Sequence, residues 1–119
     1  MSDRLTPTLI ALIGEDGLIA LAEAFGGRRL YVPEKLDPDH GITKAIGEER
    51  AAKLNRLYSL AYIRVPIARE LRAVHYRKRG LSNGEIATKL GIVEPSVDKI
   101  FARMAKPPVK GSAQLSLDI

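Results

Sequence analysis

The chain has 119 residues, 45% of them hydrophobic and 28% charged, which bounds it to one ordinary domain or two very small ones around a packed core. Aromatic residues make up 5% with no Trp, so Leu, Ile, Val and Ala must build that core. The absence of Cys excludes a disulfide framework, a thiolate metal site and a cysteine nucleophile.

The net charge of +5 is unevenly spread: residues 1–59 hold 8 Lys+Arg against 9 Asp+Glu, whereas residues 60–106 hold 10 against 4. That asymmetry marks 60–106 for contact with a polyanion, the alternative being a solvated basic face. His40 and His75 do not sit in a metal-ligand spacing, and neither a metal nor a cofactor is expected. The opening Met-Ser-Asp-Arg-Leu-Thr-Pro lacks the basic and apolar regions of a signal peptide. An uninterrupted apolar run such as 9–13 is too short to span a bilayer. The expectation is a small, soluble, cytoplasmic protein that makes no membrane contact.

Residues 9–33 and 42–66 form an internal repeat offset by 33. Six of the 25 aligned positions are identical, namely Ile13/Ile46, Gly14/Gly47, Glu15/Glu48, Leu21/Leu54, Val32/Val65 and Pro33/Pro66. Chance at this composition supplies about two. In each copy a short apolar helix stops at Ile-Gly and an acidic pair opens a second helix, where its charge complements the helix N-terminus. The apolar positions of that second helix are Leu18, Leu21, Ala22 and Phe25 in one copy, and Ala51, Leu54, Leu57 and Tyr58 in the other. The period then becomes 2. Leu30 and Val32 alternate with Arg29 and Tyr31, while Ile63 and Val65 alternate with Tyr62 and Arg64, and a Pro ends each strand. The pattern predicts one two-stranded antiparallel ribbon covered by helices, because an isolated ribbon is marginal. The alternative is two helix–strand units alike in composition only.

Residues 67–106 predict three helices. Ile67, Leu71 and Val74 share one face of the first, which should run to about Arg79 before Gly80 stops it. Ser82-Asn83-Gly84-Glu85 is a capping-box sequence that opens a helix over about 83–90, with Ile86, Ala87 and Leu90 inward. Gly91 ends it and Ile92 fills the corner. A third helix begins near Pro95, buries Val97, Ile100, Phe101 and Met104, and runs to about Ala105 before Lys106-Pro107-Pro108. Small Ala87 where two helices cross, Gly91 four residues later, then Val97 and Ile100 as anchors match the spacing of a helix-turn-helix. A protein-binding helical hairpin is the alternative. In such modules the third helix enters the major groove. Its outward positions here are Glu94, Pro95, Ser96, Asp98, Lys99, Ala102 and Arg103. Pro95, Ser96, Lys99 and Arg103 are the candidate DNA contacts on that helix. Ser82, Arg77, Lys78, Arg79 and Lys89 are the candidate backbone clamp. Glu94 and Asp98 either accept from cytosine or serve a helix N-terminus.

Phe25-Gly26-Gly27-Arg28-Arg29-Leu30-Tyr31-Val32-Pro33, after an amphipathic helix and ahead of a helix-turn-helix, resembles the Mor/C family of phage transcription activators. The resemblance covers roughly 9–33 and 71–103. It implies a dimer paired through an antiparallel β-ribbon, C-terminal helix-turn-helix units on double-stranded DNA, and recruitment of bacterial RNA polymerase. It also implies that Arg29 and Tyr31 face DNA. The chain departs from the family over 34–66, where the second copy supplies a strand that the family takes from a partner. Tyr62 and Arg64 then stand where the partner's ribbon face would be. The expected state is either a monomer with an internal approximate two-fold or a homodimer.

The last residues, Gln114-Leu115-Ser116-Leu117-Asp118-Ile119, resemble the short peptides that bind the bacterial DNA polymerase sliding clamp. In that likeness Gln114 enters a polar subsite and Leu115, Leu117 and Ile119 fill an apolar one. The alternatives are a disordered end or an edge strand.

No nucleophile–base pair, phosphate-cradling loop or metal cluster is legible, so an enzyme is not expected. The expected fold is mainly α: a duplicated helix–helix–strand domain (1–66), a helix-turn-helix domain (67–106) and a flexible tail (107–119). The expected function is sequence-specific double-stranded DNA binding as a phage-derived transcription regulator. The alternative is a DNA-binding adaptor that recruits the sliding clamp.

Overall fold

A computed structural model describes residues 5–110 of the chain. They are mainly helical, with a two-stranded antiparallel sheet. Two compact units follow one another, Met1–Ala68 and Arg69–Ile119. The first contains α1 (Leu5–Phe25), β1 (Arg29–Val32), α2 (Gly41–Ile46), α3 (Glu48–Tyr58) and β2 (Ala61–Arg64); the second contains α4 (Arg69–Lys78), α5 (Asn83–Leu90) and α6 (Glu94–Ala102).

Glycine sets the helix breaks of the first unit. Gly14 interrupts α1 at φ 80, ψ 167, and Gly47 separates α2 from α3 at φ 89, ψ 162. A Cβ at either position would meet nothing within 4 Å, so glycine serves backbone conformation there rather than space. Acidic pairs follow both breaks and lie at the N-terminal ends of the next helical segments. His40 caps α2, its Nδ1 accepting from Ile42 N–H at 3.1 Å.

Leu9, Ile13, Leu18 and Leu21 of α1 meet Ile42, Ile46, Ala51 and Leu54 of α2 and α3 in one buried cluster of aliphatic side chains. By length and composition alone, α1 is apolar enough to cross a membrane, a property the short unbroken runs concealed. Its break at Gly14 and the burial of its leucines and isoleucines account for that apolarity within this unit.

The strands pair Arg29↔Arg64, Leu30↔Ile63, Tyr31↔Tyr62 and Val32↔Ala61. Leu30 therefore lies opposite the residue 33 positions further along the chain. Contacts at the ribbon ends recur with the same offset. Gly27 N–H donates to Val65 O at 2.8 Å and Leu60 N–H to Val32 O at 2.7 Å; Gly26 N–H donates to Ala22 O and Ser59 N–H to Asn55 O. Gly27 and Leu60 also share a left-handed backbone, at φ 80 and φ 66. A Leu there costs about 1–2 kcal/mol that a glycine escapes. Where α1 passes α3, a Cβ on Gly17 would sit 3.0 Å from the Arg50 side chain, again a pair 33 residues apart.

Several expectations need correction. Leu57 is 55% exposed, because Ala51, Leu54, Asn55 and Tyr58 form the inward stripe of α3 and Leu57 falls beside it; the Asn55 amide donates to Pro33 O at 2.7 Å. Ile67 precedes α4 and belongs to the first unit, next to Gly27. Leu71 and Val74 are only half-buried; the buried residues of α4 are Arg72, Ala73 and Tyr76. Finally, α6 ends at Ala102 rather than Ala105. Arg103 is its C-cap and Met104 N–H donates to Phe101 O, a tighter last turn that leaves Met104 packed on the core.

The strain at Leu60 gives a direct test. Replacing it with Gly relieves the left-handed conformation at a site that is 62% exposed, against the extra backbone freedom glycine loses on folding. The expected outcome in urea unfolding is a gain of up to about 1 kcal/mol for Leu60→Gly, with no gain for Leu60→Ala.

Candidate nucleic-acid interface

The second unit closes around Ala73, Tyr76, Ile86, Ala87, Leu90, Val97 and Ile100, with Leu81, Ile92, Phe101 and Met104 packed on its rim. Local chemistry explains each turn. Ser82 Oγ accepts from Glu85 N–H at 3.2 Å, and Ser82 N–H donates to Glu85 Oε1 at 2.8 Å, so both partners of the capping box are engaged. Gly91 ends α5 in the left-handed conformation (φ 69, ψ 33), and Ile92 N–H then donates to Ala87 O at 3.0 Å. Nothing lies within 4 Å of a Cβ at Gly91, so only its backbone conformation demands glycine. Ala87 is 6% exposed between the helices, where a larger side chain would push them apart. Val93 caps α6 and Pro95 sits in its first turn, where a missing N–H leaves no bond unmade.

A buried arginine ties α4 to α5. Arg72 is 7% exposed; its Nε donates to Tyr76 Oη at 3.1 Å and its Nη2 to Lys89 O at 3.0 Å. The sequence reading passed over this residue. Its available signal was the Arg72/Tyr76 spacing of four, which puts both side chains on one helix face.

The expected DNA-contact residues fall into two groups. Lys78, Arg79, Pro95, Lys99 and Arg103 are exposed, and Ser96 is half-buried in the first turn of α6. Ser96, Lys99 and Arg103 recur at helical spacing, away from the buried Val97 and Ile100. The other group has internal duties. Arg77 is half-buried, donates to Leu81 O at 3.2 Å and lies 4.9 Å from the Phe101 ring centre, so it ties the end of α4 to α6. Ser82 is engaged in its cap, and Lys89 rests its Nζ 5.6 Å from the Tyr76 ring.

The two acids of α6 turn toward the start of α5. Asp98 accepts from the Asn83 amide, and Glu94 Oε2 lies 3.7 Å from where a Cβ on Gly84 would sit. Both carboxylates thus lie beside a helix N-terminus, the role that residue types alone left undecided. Asn83 was not singled out in sequence, although its place directly after the capping serine was visible.

In the first unit, Arg29, Tyr31, Tyr62 and Arg64 share the outer face of the ribbon, while Val32 and Ile63 are buried on the other. The Tyr31 and Tyr62 rings lie 5.0 Å apart at 54°, and the Arg29 guanidinium sits 4.4 Å from the Tyr62 ring centre. Arg64 Nη1 donates to Gly27 O at 3.4 Å. The result is a cationic–aromatic stripe whose members hold one another in place. Gln114, Leu115, Leu117 and Ile119 lie outside the described residues.

No family model matches the sequence, and neither a curated protein nor a solved structure is significantly similar to it.

The capping box makes a pH-dependent prediction. The Ser82 backbone N–H, and secondarily its hydroxyl, hold the Glu85 carboxyl below its ordinary value. Because the folded value is depressed, this stabilisation is present above the ordinary glutamate range and is lost as pH falls through the lowered value. Carboxyl-carbon NMR titration should place Glu85 below an unstructured glutamate and return it toward the ordinary value in Ser82→Ala. An unmoved titration in that variant would count against the box as the cause.

Proposed function

We propose that the chain is a double-stranded DNA-binding transcription regulator similar to the Mor/C activators. In this reading α5 and α6 act as a helix-turn-helix, and α6 is the helix that enters the major groove. The observation that carries it is the left-handed Gly91 four residues after buried Ala87, with Val97 and Ile100 buried behind it. That register leaves Pro95, Ser96, Lys99 and Arg103 on the open side of α6. The inward turn of Glu94 and Asp98 supports the reading, since two carboxylates aimed at phosphates would oppose binding. Lys78 and Arg79 are the backbone contacts.

The first unit, in the same proposal, is a duplicated helix–helix–strand unit whose two copies close one ribbon within the chain. The matching breaks at Gly14 and Gly47 support this, as do the hydrogen bonds repeated at an offset of 33. The Gly17/Arg50 contact gives the physical reason for closure within one chain. A small residue receives a large one there, whereas two second copies facing each other would oppose Arg50 to Arg50. Arg29, Tyr31, Tyr62 and Arg64 form this unit's DNA-facing stripe.

Selection of bound sites from random duplex DNA, followed by titration of the selected site, tests the function. Lys99→Ala or Arg103→Ala should weaken specific binding by about 1–3 kcal/mol where the residue reads a base. Where it meets phosphate, the substitution should reduce the salt slope by about one instead. An unchanged affinity and salt slope in the double variant would remove α6 from the groove.

A further inference from the structure

The two copies differ most on one surface. The second carries exposed Lys53, Arg56, Leu57 and Leu60, with Leu57 and Leu60 55% and 62% exposed. Positions 33 residues earlier hold Ala20, Glu23, Ala24 and Gly27. One face is therefore basic with two large apolar side chains, and its counterpart is acidic and small. The contrast extends along both helices. Residues 15–25 contain three acids and no base, whereas α3 contains Arg50, Lys53 and Arg56.

Leu60 is the telling member. It holds the left-handed conformation that Gly27 adopts without penalty, and it still exposes most of its side chain. A strained and exposed leucine gains nothing inside its own chain, and such outliers concentrate at binding sites.

We propose that the face formed by Lys53, Arg56, Leu57 and Leu60 docks onto the face formed by Ala20, Glu23, Ala24 and Gly27 of a second copy of this chain. The leucines fill the space left by Ala24 and Gly27, and Lys53 and Arg56 meet the acidic side. Because the two faces differ, the contact is head to tail. Each chain added leaves one face of each kind open, so assembly continues instead of stopping at two. The inference rests on reading the first unit as two related copies and is independent of whether the second unit binds DNA.

Sedimentation of the full chain without DNA, from micromolar to millimolar concentration, tests it. The weight-average mass of the native chain should rise steadily past that of a dimer. Leu57→Ala with Leu60→Gly installs the first copy's residues on the second. It should reduce association at least tenfold while thermal stability is kept or raised. Ala24→Lys, at an exposed helix position, should reduce association equally by bulk and like charge. Mixed together, these two single-face variants should form a two-chain complex and nothing larger.

A native chain that stays monomeric to millimolar concentration overturns the proposal. So does an Ala24→Lys variant that associates like the native chain, since that would mean leucine faces pairing with each other. A Leu57→Ala/Leu60→Gly variant that associates normally overturns it as well. Cross-strand NMR contacts between Leu30 and Ile63, recorded on the same samples, check the ribbon separately. Loss of association with those contacts intact then counts against the docking faces alone.

Discussion

The pairing of Leu30 with Ile63 is the constraint on which the first unit depends. Four residue pairs are too few for a ribbon to stand alone, so its inward side chains must be covered by helices. Val32 and Val65 are fully buried and Ile63 nearly so, leaving the opposite face to two arginines and two tyrosines. Because a one-residue slip would exchange the two faces of a strand, the register that buries Val32 also displays Tyr31. Core packing and the outer stripe are thus a single decision.

The second unit rests on backbone geometry and one satisfied charge. Gly91 lets the chain reverse tightly enough for Ile92 to bond Ala87, and this fixes the direction in which α6 leaves. Arg72 fixes α4 against α5 through Tyr76 and the Lys89 carbonyl. A guanidinium at that depth is tolerable because its donors find oxygen partners; truncation would leave the Lys89 carbonyl and the Tyr76 hydroxyl short of theirs. Surface residues are then free to vary around a rigid frame, the usual arrangement for a recognition element.

The elements were legible where local chemistry dominates. The breaks at Gly14 and Gly47, the strand alternation and the capping box are all decided by residues within one turn of each other, and their positions followed from pattern alone. Misreadings arose where tertiary packing chose among near-equivalent faces. Leu57 sits on the edge of an apolar stripe that Asn55 completes through a bond to Pro33, a partner 22 residues away. The inward face of α4 contains a charged residue, and apolar periodicity is blind to that. Among the candidate contacts, exposure of Lys99 and Arg103 was readable from spacing. The internal ties of Arg77 were not, because Phe101 is brought to it only by folding.

The ribbon also governs the order in which this unit can assemble. Its central partners are separated by 33 residues, and α2 and α3 lie between them, so neither strand can find the other by local zippering as in a tight hairpin. The entropy of closing such a segment grows only slowly with its length, and helices that form within it shorten the distance left to search. The strands are therefore the last part of the unit to gain protection and the first to lose it. The surface stripe they carry exists only once the intervening chain has condensed.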